Sequence, residues 1–292
     1  MKTAEDPLAK ALRHGRPGPD DEGYAQALGE GVASTVRRLE RSPRMFDAAL
    51  GKALTHLQAR CAVDPDGAEI DTWEAAVSAM QIGSALFSSA SVTEGTVECR
   101  INHEMWTIPA AGAQPFADAG NWLTAFWPAV ICRNQTRMTQ LCEIPVDLLR
   151  ASGAEYDEYI YHWVDSLQTY WLERSGLAEK LTSAIEKSHP DFARIVDQDL
   201  LDKILYQSIN LFHCFLRKDH DGFDQALAEA LEAHKAYWTA SKERERSVAG
   251  YLALGPLAIT CLAYDAGRPI EVESDYIPKH LLTRGWVGEF PS

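Results

Sequence analysis

"VAGYLALGPLAITCLAYDAGRPIEVESDYIP", residues 248–278, contains two unlike halves. The 17 residues from Val248 to Tyr264 carry no charge. A helix that is apolar on every side belongs inside a protein or across a membrane. The run only just reaches the length of a membrane span, about 17–25 residues. Gly250, Gly255 and Pro256 also interrupt it. A buried core helix is therefore expected. Gly267 suits the residue just past its end, where a left-handed backbone is common. Arg268-Pro269 turns the chain, and an alternating segment follows. Residues two apart share a face in an extended strand. Glu271, Glu273 and Asp275 would face one way, with Ile270, Val272 and Tyr276 packing inward. Pro278 suits the start of a short helix.

Around this stretch the helical period dominates. Leu28, Val32, Val36 and Leu39 form one stripe. Ser42-Pro43 is a helix start, and Met45 to Leu57 continues it. Asp71 with Glu74, and Ser152 with Glu155, have the spacing of capping boxes. Trp73, Val77, Met80 and Phe87 extend the first of these helices. Tyr156, Tyr159, Ile160, Trp163, Val164, Leu167, Tyr170 and Trp171 extend the second, the clearest amphipathic pattern in the chain. Further apolar series run from Leu201 to Phe215 and from Phe223 to Trp238. "NWLTAFWPAVI" is another helix, with a kink expected at Pro128. Only "TVECRINHEMWTIPA" alternates over two runs, and a hairpin turning at 102–104 is expected to lean on the helices. The fold class is mainly α: packed helical hairpins with at most one small β-hairpin. Residues 1–22 read as a flexible arm, and 23–292 as one all-α domain with a soft boundary near 150.

The composition limits the partners. Forty-two acids against 28 bases give a formal charge of -14. Nucleic acid requires a positive surface, so it is an unsuitable partner. A basic protein is a suitable one, because opposite fields steer association. The six cysteines lack zinc-site spacing and are expected as reduced thiols in the cytoplasm. No apolar segment near the N-terminus resembles a signal peptide.

No catalytic motif emerges. The chain contains no G-x-S-x-G, no phosphate-binding glycine loop and no H-E-x-x-H. His213, Cys214 and His220 fall outside metal-ligand spacing. Neither a metal nor another cofactor is expected. The aromatic helix at 156–171 is either core or the wall of a ligand pocket. Three readings stay open: a protein that acts by binding another protein, a helical enzyme or small-ligand protein with a pocket among the aromatic helices, and a solenoid-like scaffold.

The C-terminal stretch adds a resemblance. Ala263, Tyr264, Asp265, Gly267, Ile270, Glu271, Val272, Glu273, Ser274, Tyr276 and Pro278 are similar to the C-terminal signature of the immunity protein 49 family. That resemblance implies a mostly helical cytoplasmic antidote of a bacterial polymorphic-toxin system, which neutralises a cognate toxin domain by binding it. It implies no catalytic residue. With the acidic composition, it makes Asp265, Glu271, Glu273, Asp275 and Tyr276 the partner-binding candidates, facing a basic toxin.

Overall fold

A computed structural model describes residues 9–15, 18 and 20–289. The chain begins with strand β1 (Ala9–Ala11), then α1 (Asp21–Val36), a 3-10 turn at Pro43–Met45, α2 (Phe46–Val63) and α3 (Ile70–Ala90). Strands β2 (Thr96–Ile101) and β3 (Glu104–Pro109) follow, then α4 (Ala119–Ile131), α5 (Gln135–Cys142), α6 (Val146–Arg150), α7 (Glu158–Trp171) and α8 (Leu177–Lys187). A short α9 (Gln198–Leu200) runs through a π-helical turn at Leu201–Leu205 into α10 (Tyr206–Leu216). The chain closes with α11 (His220–Trp238), α12 (Lys242–Glu245), a 3-10 turn at Val248–Tyr251, α13 (Leu254–Asp265), β4 (Val272–Ser274) and α14 (Lys279–Leu282). It is a mainly α fold with one small antiparallel hairpin.

Consecutive helices pack side by side: α1 on α2, α2 on α3, α3 on α4, α7 on α8 and α10 on α11. The predicted stripes are buried, as at Val32, Val36 and Leu39, or at Trp163, Val164 and Leu167. One hydrophobic cluster runs from Ala11 to Leu282. The β2–β3 hairpin turns at Asn102 and His103, both left-handed, which matches the twist of its strands. It leans on α3, where the Asn102 N–H donates to Gln81 Oε1 at 2.8 Å.

The apolar run is divided where Pro256 requires. A proline has no N–H to give and fits best in the first turn of a helix. Hence α13 starts at Leu254, and Val248–Tyr251 is a separate turn. Helix α13 has 12 residues, about 18 Å at 1.5 Å per residue. That is well short of a bilayer core of about 30 Å. It packs against α4, α10, α11 and α14, with Leu257 to Cys261 all buried. Gly267 has φ +83° and its N–H reaches Tyr264 O, as its place after the helix predicts.

Two expected helix starts are displaced. The α3 N-terminus is organised from outside the helix by Asp64, which accepts the N–H groups of Ala68 and Glu69 and the Thr72 hydroxyl. Helix α7 begins at Glu158, and the preceding Asp157 turns its carboxylate away to accept the N–H groups of Arg194, Ile195 and Val196. Ser152 bonds Leu149 O rather than capping a helix.

The arm read over residues 1–22 is docked where the structure describes it before α1. Strand β1 pairs in parallel with β4, Ala9 opposite Val272 and Ala11 opposite Ser274. The Ser274 hydroxyl donates to Ala11 O at 2.7 Å, and Arg13 donates to Ala62 O at 2.7 Å. Residues 1–8, 16, 17 and 19 of that arm lie outside the described residues.

Candidate functional site

The segment from Asp265 to Tyr276 crosses the outside of the helices as a strap. Its alternation is the predicted one: Val272 and Tyr276 are buried, and Glu271 and Glu273 are exposed. Asp275 is half-buried in the turn after β4. Among the described residues, none of these three carboxylates has a cation or hydrogen-bond donor beside it. Acids of α11 continue this face. Glu232 and Asp275 both act on Tyr276 through space, and Asp221 and Glu271 both act on Asp224.

Asp265 has a different job. Its carboxylate pairs with Arg133 at 3.2 Å and with Arg284 at 2.7 Å. Arg133 also donates to Ile131 O, Leu281 O and Leu282 O. Together they clasp the end of α4 to α14. A carboxylate already shared by two guanidinium groups has little charge left to offer a partner.

Tyr276 leaves the surface set altogether, because it is 0% exposed. Its hydroxyl accepts the His14 backbone N–H at 2.8 Å. The same hydroxyl lies 3.0 Å from His14 Nδ1, within hydrogen-bond distance. His14 stacks on the Tyr276 ring, and His234 meets it edge-on. Tyrosine at this position could not touch a partner without unfolding the strap. Burial pushes its ionisation up to about 12. His234, whose Nε2 lies 2.9 Å from Gly250 O, is held down at about 4 by burial.

Elsewhere, α4, α7, the π-helical turn, α10, α11 and the start of α13 enclose a cavity of about 590 Å³. Trp127, Tyr159 and Trp163 are among its walls, so the aromatic helix is both core and cavity wall. Gly255, Ser208 and the π-helical turn were not singled out as site residues from sequence. The usable signal was Gly255-Pro256, a break inside an apolar run. Among the described residues, no group of three or more His, Cys, Asp or Glu is placed to hold a metal ion. The six cysteines are free thiols, five of them buried.

Comparison with known sequences decides the family. The immunity protein 49 profile matches residues 64–281. The chain belongs to the immunity protein 49 family. No curated protein and no solved structure matches it. The immunity protein 49 match takes in α3, the hairpin, most of the cavity wall and the whole strap, ending at Leu281 in α14. Within this family member, most residues of the C-terminal signature have structural work. Asp265 clasps, Gly267 turns, Ser274 ties β1, and Tyr276 fills the core. Among the described residues, Glu271 and Glu273 are the signature's carboxylates left facing solvent without a cation beside them.

Proposed function

We propose that this protein neutralises a cognate toxin domain by binding it directly in the cytoplasm, with the strap carboxylates contributing to the contact. Membership of the immunity protein 49 family carries the reading. The formal charge of -14 supports a basic partner, and free thiols suit a reducing compartment. The reading requires no catalytic residue: an antidote acts by occupying the toxin. A docked strap also suits recognition, because charges fixed on an ordered backbone lose less entropy on binding.

The strap's part in binding is open to a kinetic test. Glu271, Glu273 and Asp275 are replaced together by Ser, and association with the toxin domain is followed at two salt concentrations. Exposed charges act mainly on the encounter rate. The triple variant is expected to associate more slowly, with a flatter dependence on salt and a nearly unchanged off-rate. Unchanged kinetics in a folded triple variant would place the contact surface elsewhere on the protein.

A further inference from the structure

The cavity of about 590 Å³ has the size of a small-molecule site, which typically spans about 300–1,000 Å³. Its walls are largely apolar, yet they hold polar groups with nothing to bond. Trp127 and Tyr159 are 7% and 4% exposed, and both line the cavity. Among the described residues, the indole N–H of Trp238, also on the wall, is buried with no hydrogen-bond partner, and the Trp127 indole N–H and the Tyr159 hydroxyl bond no other side chain or backbone group. The Ser208 hydroxyl is on the wall too and, among the described residues, bonds no other side chain or backbone group. A buried donor left unmatched, as at Trp238, is costly, and donors that border open space can be met by what fills it. Several such donors around one space indicate an acceptor that belongs there.

Gly255 brings two of these donors to one place. A Cβ at that position would stand 2.2 Å from Ser208 Oγ and 3.7 Å from Trp127 Nε1. Any side chain at 255 would run into Ser208, so glycine lets α13 come this close to the Ser208 hydroxyl on α10. Across the cavity, the π-helical turn contributes Lys203, Ile204 and Leu205. Such turns are rare, and they occur frequently at functional sites. Lys203 is ion-paired with Asp199, which also holds Arg244, so this wall is fixed and its charge is matched. Asp157 is saturated by three backbone N–H groups. The remaining charge at the rim is the exposed Glu155, which disfavours anions. Ile195, 59% exposed, gives the entrance an apolar lip.

We propose that this cavity binds a small, uncharged, mainly apolar molecule that presents a hydrogen-bond acceptor to Trp127, Ser208 and Tyr159. The aromatic walls supply contact area, and the donors orient the acceptor. Nothing in this assignment depends on the toxin.

Nile red, an uncharged planar dye with a ring carbonyl, is the first probe, titrated into the full chain. Saturable one-to-one binding is expected. Thr124→Trp, at a half-buried wall position, should weaken it at least tenfold. Met105→Trp, on the distant hairpin, should leave it unchanged. Circular dichroism melts check that each variant is folded. The second probe pair is fluorenone and fluorene, alike in shape and differing by one carbonyl. The parent should prefer fluorenone by about fivefold, the scale of one hydrogen bond. Tyr159→Phe with Ser208→Ala should reduce that preference toward unity, a result that does not depend on Thr124→Trp folding. No saturable binding by the parent, or equal binding of both fluorene compounds, overturns the proposal. Folded Thr124→Trp is expected to protect cells from the toxin as the parent does. Loss of that protection would assign the cavity to a toxin side chain and overturn the proposal as well.

Discussion

Leu257→Asp is expected to destabilise the protein by at least ~4 kcal/mol and to abolish most soluble expression. Leu257 is 0% exposed, at the end of the first turn of α13. Its helix carries no charge before Asp265 and is surrounded by α4, α10, α11 and α14. The substitution removes a buried leucine, which alone costs about 2–5 kcal/mol. It adds a carboxyl group that must stay unpaired or take up a proton, either at a further cost of a few kcal/mol. Both terms have the same sign, and few single changes reach this size. Denaturant unfolding of any soluble material gives the value. A variant that melts within a degree or two of the parent would show that α13 is not the centre of the core.

Acidification is expected to weaken the fold through the histidines that meet Tyr276. In the folded state His234 is held at about 4 rather than 6.5, first by burial and then by the nearby His14. The same burial lowers His14, whose surroundings also include Glu245, Lys235 and Arg13. Between pH 6.5 and 4 the unfolded chain takes up a proton at position 234 that the folded chain refuses. Stability from this group is therefore complete above pH 6.5 and falls as pH falls, by about 3 kcal/mol at pH 4. His234→Gln keeps an N–H for Gly250 O and has no titration. Unfolding free energies of parent and variant, measured from pH 7 to pH 4, should converge as pH falls. Parallel curves would mean that His234 is protonated in the folded state or reaches solvent.

The strap shows how far sequence carries the site. Its alternation was legible because period-two patterning is local: Val272 inward, Glu271 and Glu273 outward. Tyr276 obeys the same pattern, and its place on the inward row is what removes it from the contact surface. The β1 pairing was not legible. Ala9–Ala11 is too short for a periodic signal, and its partner lies at the opposite end of the chain. The misplaced helix starts share one cause. Asp64 and Asp157 satisfy N–H groups of loops and neighbouring segments, whereas a capping box describes only a residue bonding its own helix. The cavity was hidden for a related reason. Trp127, Tyr159, Ser208 and Gly255 come from four different helices, and only the packed fold brings them together. What the sequence did offer there was the composition of each wall: aromatic spacing on α7 and a glycine–proline break at α13.

Direct binding is the centre of this account, and one measurement tests it most directly. The purified protein is mixed with a candidate cognate toxin domain, and complex formation is followed by calorimetry, with survival of cells co-expressing the two as the functional counterpart. The expected result is a stoichiometric complex, tighter at low salt than at high salt, that forms without chemical change to the toxin and keeps the cells alive. Survival without any complex, or a complex that leaves the toxin fully active, would contradict neutralisation by binding.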